Sequence, residues 1–173
     1  MILKWIGSAI VIVSCGGMGF YFGAEVERRI RELRQLREIM FLLRGDVRYM
    51  RSPLPEAIGR IGERESGMWG RFFTSVAEEL AGFDVPDFGQ VFGRRINEIR
   101  KETALNRQDL ELLVRFGEML GKMDMEMQLN AFDWYLEQSG ERLDKLVGQA
   151  DKQITLHKSM GILAGVFLLI VLL

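Results

Sequence analysis

From Trp5 to Ala24 the chain carries no charged residue. Twenty residues of α-helix rise roughly 30 Å, the thickness of a bilayer's hydrocarbon core, so this run predicts a membrane-spanning helix. It stops against Glu25, Glu27, Arg28 and Arg29, as a retained anchor does. A second uncharged run, Ser159 to Leu173, ends the sequence. From Met160 onward it is only about 21 Å of helix, but Lys158 can snorkel to the interface and lengthen the effective span. The expected organisation is a transmembrane helix over 5–24, a helical bundle domain over 25–158 and a second transmembrane helix over 159–173. Each run holds a small-xxx-small pair, Gly19/Gly23 and Gly161/Gly165, the spacing that lets helix backbones approach closely in lipid. A rival reading starts from Lys4 as a short charged leader and Ile12-Val13-Ser14-Cys15 as a cleavage site with acylation at Cys15. It would make the chain a lipid-anchored helical protein outside the cytoplasm. The sequence stays apolar well past that cysteine, through Phe20, Tyr21 and Phe22, whereas a cleaved leader normally gives way to polar residues.

Positive residues set the orientation. Arg28, Arg29, Arg31, Arg34 and Arg37 follow the first run, and Arg142, Lys145, Lys152 and Lys158 precede the second, while only Lys4 lies on the far side. By the positive-inside rule the central domain is expected in the cytoplasm. The net charge of −1, without a basic block, leaves no electrostatic footprint for nucleic acid.

The centre reads as helix throughout. Val26, Ile30, Leu33, Leu36, Met40, Leu43, Val47 and Met50 recur every three or four residues, one long amphipathic helix with an Arg/Glu-rich opposite face. Ser52-Pro53-Leu54-Pro55 breaks it and starts a short second helix through Ile58 and Ile61, which should fold back as a hairpin. Gly62 to Gly67 predicts a loop, Met68 to Leu80 a third helix, and Gly82 to Pro86 a turn. The fourth helix is expected over 87–103. Asn106 with Asp109 three residues on caps a fifth that stops at Gly121, and Asp124 caps a sixth. No proline follows, so the sixth helix can run straight into the terminal apolar segment.

No chemistry-bearing set emerges. There is no phosphate-binding glycine loop, and with one histidine, His157, and one cysteine, neither a nucleophilic triad nor a zinc site can be built. No cofactor is expected. Asp124 and Glu126, near Asp109, Glu111 and Glu118, would be the only conceivable acid pair, and acids at helix starts are ordinarily caps. Met119, Met123, Met125 and Met127 read as core or near-core packing, with an adaptable binding surface as the alternative.

Phe116-Gly117-Glu118-Met119-Leu120-Gly121-Lys122-Met123-Asp124-Met125-Glu126-Met127-Gln128 resembles the FGxxLGxxDxExQ signature of the stage III sporulation protein AB family of endospore-forming bacteria. The order of the remaining motifs agrees. Arg31-x-x-Arg34-Gln35-Leu36-Arg37 follows the first run, Tyr49-x-x-Ser52-Pro53-Leu54-Pro55-Glu56-Ala57 resembles a Y-x-x-TPLxEA stretch, and Lys158-x-x-Gly161-x-Leu163-x-Gly165 leads the last run. Ser52, Pro55 and Met125 depart from the usual pattern. The resemblance implies an all-α, six-helix domain similar to the cytoplasmic domains of the type II secretion F component and its type IV pilus counterpart. It also implies a non-enzymatic part of the channel complex between mother cell and forespore, in the outer forespore membrane with its helical domain in the mother-cell cytoplasm. The implied partner is the co-encoded ATPase, stage III sporulation protein AA, beside other membrane components of the complex. On that footing the candidate docking residues are Arg31, Arg34 and Arg37 on the first helix and Asp124 and Glu126 at the start of the sixth.

Overall fold

The structure is a computed structural model that describes the backbone of residues 2–50, 53–82, 87–121 and 125–172, and the side chains of residues 23–50, 53–82, 87–121 and 125–150. It is all-α, with six helices: α1 (Ile2–Gly45), α2 (Leu54–Arg64), α3 (Gly67–Leu80), α4 (Phe88–Ile99), α5 (Arg107–Leu120) and α6 (Met125–Leu172). Among the described residues there is no strand. From α2 onward each helix packs on the next in sequence, and α6 closes the bundle against α1. No helix of the described residues is long and apolar enough to cross a membrane. Side chains of the two expected spans lie outside the described set, apart from Gly23 and Ala24, which are exposed.

The α1 stripe packs as its period predicts: Ile30, Leu33, Leu36, Met40, Leu43 and Val47 are buried. Met50 is not, at 66% exposed. The reason is a single π-helical turn, Asp46–Met50, that ends α1. Bonding five residues back adds a residue to the turn, and Met50 rotates off the apolar stripe. Pro53 then caps α2, its carbonyl accepting from the amides of Glu56 and Ala57 at 3.1 Å. α2 folds back along α1, where Arg60 meets Asp46 and Gln35 meets Glu65.

Two predicted boundaries shift for tertiary reasons. Gly62 belongs to α2 rather than to a loop, because α3 crosses there so closely that a Cβ on Gly62 would lie 2.6 Å from the backbone nitrogen of Thr74. α4 ends at Ile99 instead of Thr103. Glu32 of α1 offers its carboxylate to the Ala104 amide (2.9 Å) and the Thr103 hydroxyl, drawing the chain out of helical geometry. α5 follows expectation: Asn106 and Asp109 form a reciprocal capping box, and Gly121 terminates the helix.

An aromatic chain runs through the core from α3 to α6. Trp69 and Phe72 meet edge to face with centroids 5.7 Å apart, Phe72 meets Phe92 at 5.2 Å, Phe92 meets Phe116 at 6.3 Å, and Phe116 meets Phe132 at 5.0 Å. Such pairs each add about 0.5–1.5 kcal/mol beyond the area they bury. Gly117 lets that chain close, since a Cβ there would sit 2.4 Å from Phe92 Cδ1. Gly117→Ala is therefore expected to lower the unfolding free energy by about 1–3 kcal/mol. Gly93→Ala, whose Cβ would rest 3.8 Å from Val114, should be neutral or stabilising through helix propensity. Urea denaturation followed by circular dichroism separates the two, and equal loss in both variants would contradict the packing role of Gly117.

Candidate partner-docking surface

The arginines of α1 divide by helix face. Arg29, Arg37 and Arg44, spaced about two turns apart, point toward α5 and α6. Arg29 Nε donates to Asp109 at 2.7 Å, and Arg44 pairs with Asp133 at 2.7 Å. Arg37 donates to the Leu136 carbonyl and to Ser139 Oγ at 2.8 Å. Arg37 lies across Gly140, where a Cβ would come within 2.8 Å of its guanidinium. Of the Arg31, Arg34 and Arg37 triplet expected to face a partner, only two are exposed. Arg37 is half-buried and holds α1 to α6. Arg31 and Arg34 are exposed, Arg31 lying 3.5 Å from Glu27.

Asp109 is the most deeply buried carboxylate among the described residues. It is buried at the start of α5, where it accepts from its own cap at the Asn106 amide, pairs with Arg29, and lies 3.8 Å from Arg142 of α6. One side chain thus joins α1, α5 and α6. Nearby Tyr135 is fully buried, and its phenol is pushed far above the ordinary tyrosine value by desolvation, with the Asp109 charge adding. The grouping of Asp109 and Glu111 with Glu118 and Glu126 does not form in space. α5 has 14 residues, so its two ends stand roughly 20 Å apart. Asp124 lies outside the described residues, and Glu126 is exposed. No group of three or more His, Cys, Asp or Glu placed to hold a metal occurs among the described residues. Two shallow surface concavities, one around Gly62, Gly70 and Thr74 and one around Asp87, Gly89 and Glu118, coincide with close helix crossings.

Much of the 116–128 motif is packing. Phe116 and Leu120 are buried, Gly117 receives Phe92, and Gly121 admits Phe88 and Asp87 from the start of α4. Its exposed portion is Glu118, Met125, Glu126 and Met127. Met125 and Met127 are 43% and 53% exposed, which overturns the expectation that they fill the core. Met119 is partly buried against the core, and Met123 lies outside the described residues.

The large exposed hydrophobics of the described residues are Phe41, Tyr49, Met50, Met125 and Met127. The π-helical turn touches α6, so Tyr49 and Met50 lie at the same tip of the bundle as Met125 and Met127. Phe41 sits two turns nearer the middle. Arg48 stands over the Tyr49 ring at 5.6 Å. The sequence offered a methionine surface at Met125 and Met127 as the alternative to core packing, but not Tyr49, Met50 or Phe41, although Phe41 interrupts the polar stripe of Arg34, Glu38 and Arg48.

Two solution experiments test the interior polar joint. Asp109→Asn keeps the capping acceptor but leaves two arginines uncompensated, and should reduce stability by about 2–4 kcal/mol in denaturant titration. A raised tyrosine value means that the native state holds a proton the unfolded chain releases. The stability this contributes is complete below the unfolded value of 10.0 and falls as pH rises above it. Tyr135→Phe should flatten that alkaline decline, and an unchanged slope above pH 10 would show that another group causes it.

The sequence model for stage III sporulation protein AB matches residues 4–173. Stage III sporulation protein AB of Bacillus subtilis (strain 168) is 25% identical over 174 residues, covering 98% of this chain and 99% of the relative. A solved structure of stage III sporulation protein AB superposes with a TM-score of 0.65 at 20% identity, covering 72% of this chain and 97% of its own, a likeness of fold.

Proposed function

As a member of the stage III sporulation protein AB family the chain serves sporulation, and we propose that it does so as a non-enzymatic membrane platform docking a cytoplasmic ATPase. In this reading the segments over 5–24 and 159–173 are anchors in the outer forespore membrane. The bundle lies in the mother-cell cytoplasm, and the partner is the co-encoded stage III sporulation protein AA within the channel complex.

The placement of the exposed hydrophobics carries the reading. α1 and α6 run antiparallel, with Arg44 beside Asp133 and Arg37 beside Ser139. Glu25 and Ala150, where both helices head toward the apolar runs, therefore share one end of the bundle. Tyr49, Met50, Met125 and Met127 occupy the other. A surface of flexible methionines and an aromatic ring, held away from the anchors, suits a peripheral protein partner better than lipid. Glu126 between the methionines supplies charge that orients rather than binds.

Capture of the detergent-solubilised full chain by the co-encoded ATPase tests this. Met125→Asp combined with Met127→Asp should weaken capture by at least about tenfold. Glu126→Lys should weaken it less, with helicity unchanged in both. Undiminished capture by the double variant would remove the tip from the docking role.

A further inference from the structure

The docking tip leaves a second surface unexplained: the outward sides of α1 and α6. Along α6 the exposed charges are Glu126, Asp133, Glu137, Glu141, Asp144 and Lys145, five carboxylates against one lysine. Along α1 and its terminal π turn the corresponding stripe carries Glu27, Arg31, Arg34, Glu38 and Arg48, three arginines against two carboxylates. Asp133 and Glu141 are engaged by Arg44 and Lys145, and Arg31 by Glu27. Arg34, Glu137 and Asp144 have no ion-pair partner among the described residues.

Height along the bundle matters as much as sign. Because Arg37 is level with Ser139 and Arg44 with Asp133, counting along the antiparallel pair puts Arg34 level with about Arg142, between Glu141 and Asp144. Arg31 falls level with Lys145, one turn from Glu141. Glu38 falls level with Gln138, next to Glu137, so the favourable pairing across the contact is concentrated at Arg34.

We infer that two copies of this chain associate side by side, the basic face of α1 in each lying against the acidic face of α6 in the other. The occupant is a second copy because of symmetry, and this step rests on the reading that both ends are anchored in one membrane. Two copies in one bilayer can be related by a twofold axis only if it runs along the membrane normal. That rotation leaves heights unchanged and exchanges α1 with α6 across the contact, making the interface isologous. Arg34 of each copy then meets Glu141 and Asp144 of the other at the same height. The tips of both copies stay free and point away from the membrane, so the dimer presents two docking surfaces to the ATPase. Exposed charge pairs orient such a contact and are screened by salt, so its strength should fall as ionic strength rises.

The test uses full-length protein in lipid vesicles, in a Cys15→Ser background that removes the chain's one cysteine. Two differently tagged copies carry Arg34→Cys and Glu141→Cys respectively, and vesicle flotation is read beside oxidative cross-linking. A disulfide joining the two tags is expected, with no product from the control pair Glu78→Cys and Arg115→Cys. Arg34→Glu should cut dimerisation, followed by energy transfer between labelled copies, by about tenfold, and mixing it with Glu141→Arg should restore the signal. A floating protein with no Arg34→Cys to Glu141→Cys product overturns the dimer, as does preferential Arg34→Cys self-linkage, which would place α1 against α1. Protein that fails to float overturns the anchoring reading instead.

Discussion

The clasp between α1 and α6 is the constraint on which the rest of the molecule depends. These are the first and last helices, so their contact is the most distant in sequence and the costliest in chain entropy to close. Three arginines from one side of α1 hold it: Arg29 through Asp109, Arg37 on Leu136 and Ser139, and Arg44 on Asp133. Because the two helices are antiparallel, the chain enters and leaves the bundle at one end. A domain built this way can hang from two apolar segments while its opposite tip remains clear.

The interior polar groups are arranged so that each charge answers to several helices. Asp109 caps its own helix and compensates Arg29 through Oδ2, while its buried Oδ1 makes no hydrogen bond and faces Arg142 at 3.8 Å, so a single carboxylate serves three helices. A buried charge with only one partner would cost more than it returned; shared between a cap and two guanidiniums it becomes tolerable. Glu32 acts similarly from α1, ending α4 with its carboxylate. Around these joints the ring contacts from Trp69 to Phe132 supply the apolar continuity, and glycines at 62, 70 and 117 set how closely the helices cross.

The family motif thereby acquires a physical reading. Its Phe, Leu and Gly positions are the α4–α5 contact, and Met125, Glu126 and Met127 emerge at the tip. One motif therefore contributes both to the α4–α5 packing and to the surface with which α6 begins.

Local pattern by itself determined the helices and most of their inward faces: the α1 stripe from Ile30 to Val47, the proline start of α2, and the Asn106/Asp109 cap of α5 all follow from spacing and backbone chemistry. It also determined the two uncharged runs and the family. Only tertiary structure decided which arginines face inward, because Arg34 and Arg37 are equally polar and differ solely in whether α6 stands beside them. The exposure of Met50, Met125 and Met127 was decided there too. A π turn shifts the face of a residue without any mark in hydropathy, and a methionine at a helix start is buried only if another element arrives to cover it. Periodicity reports which side of a helix is apolar; what lies against that side depends on contacts a hundred residues away.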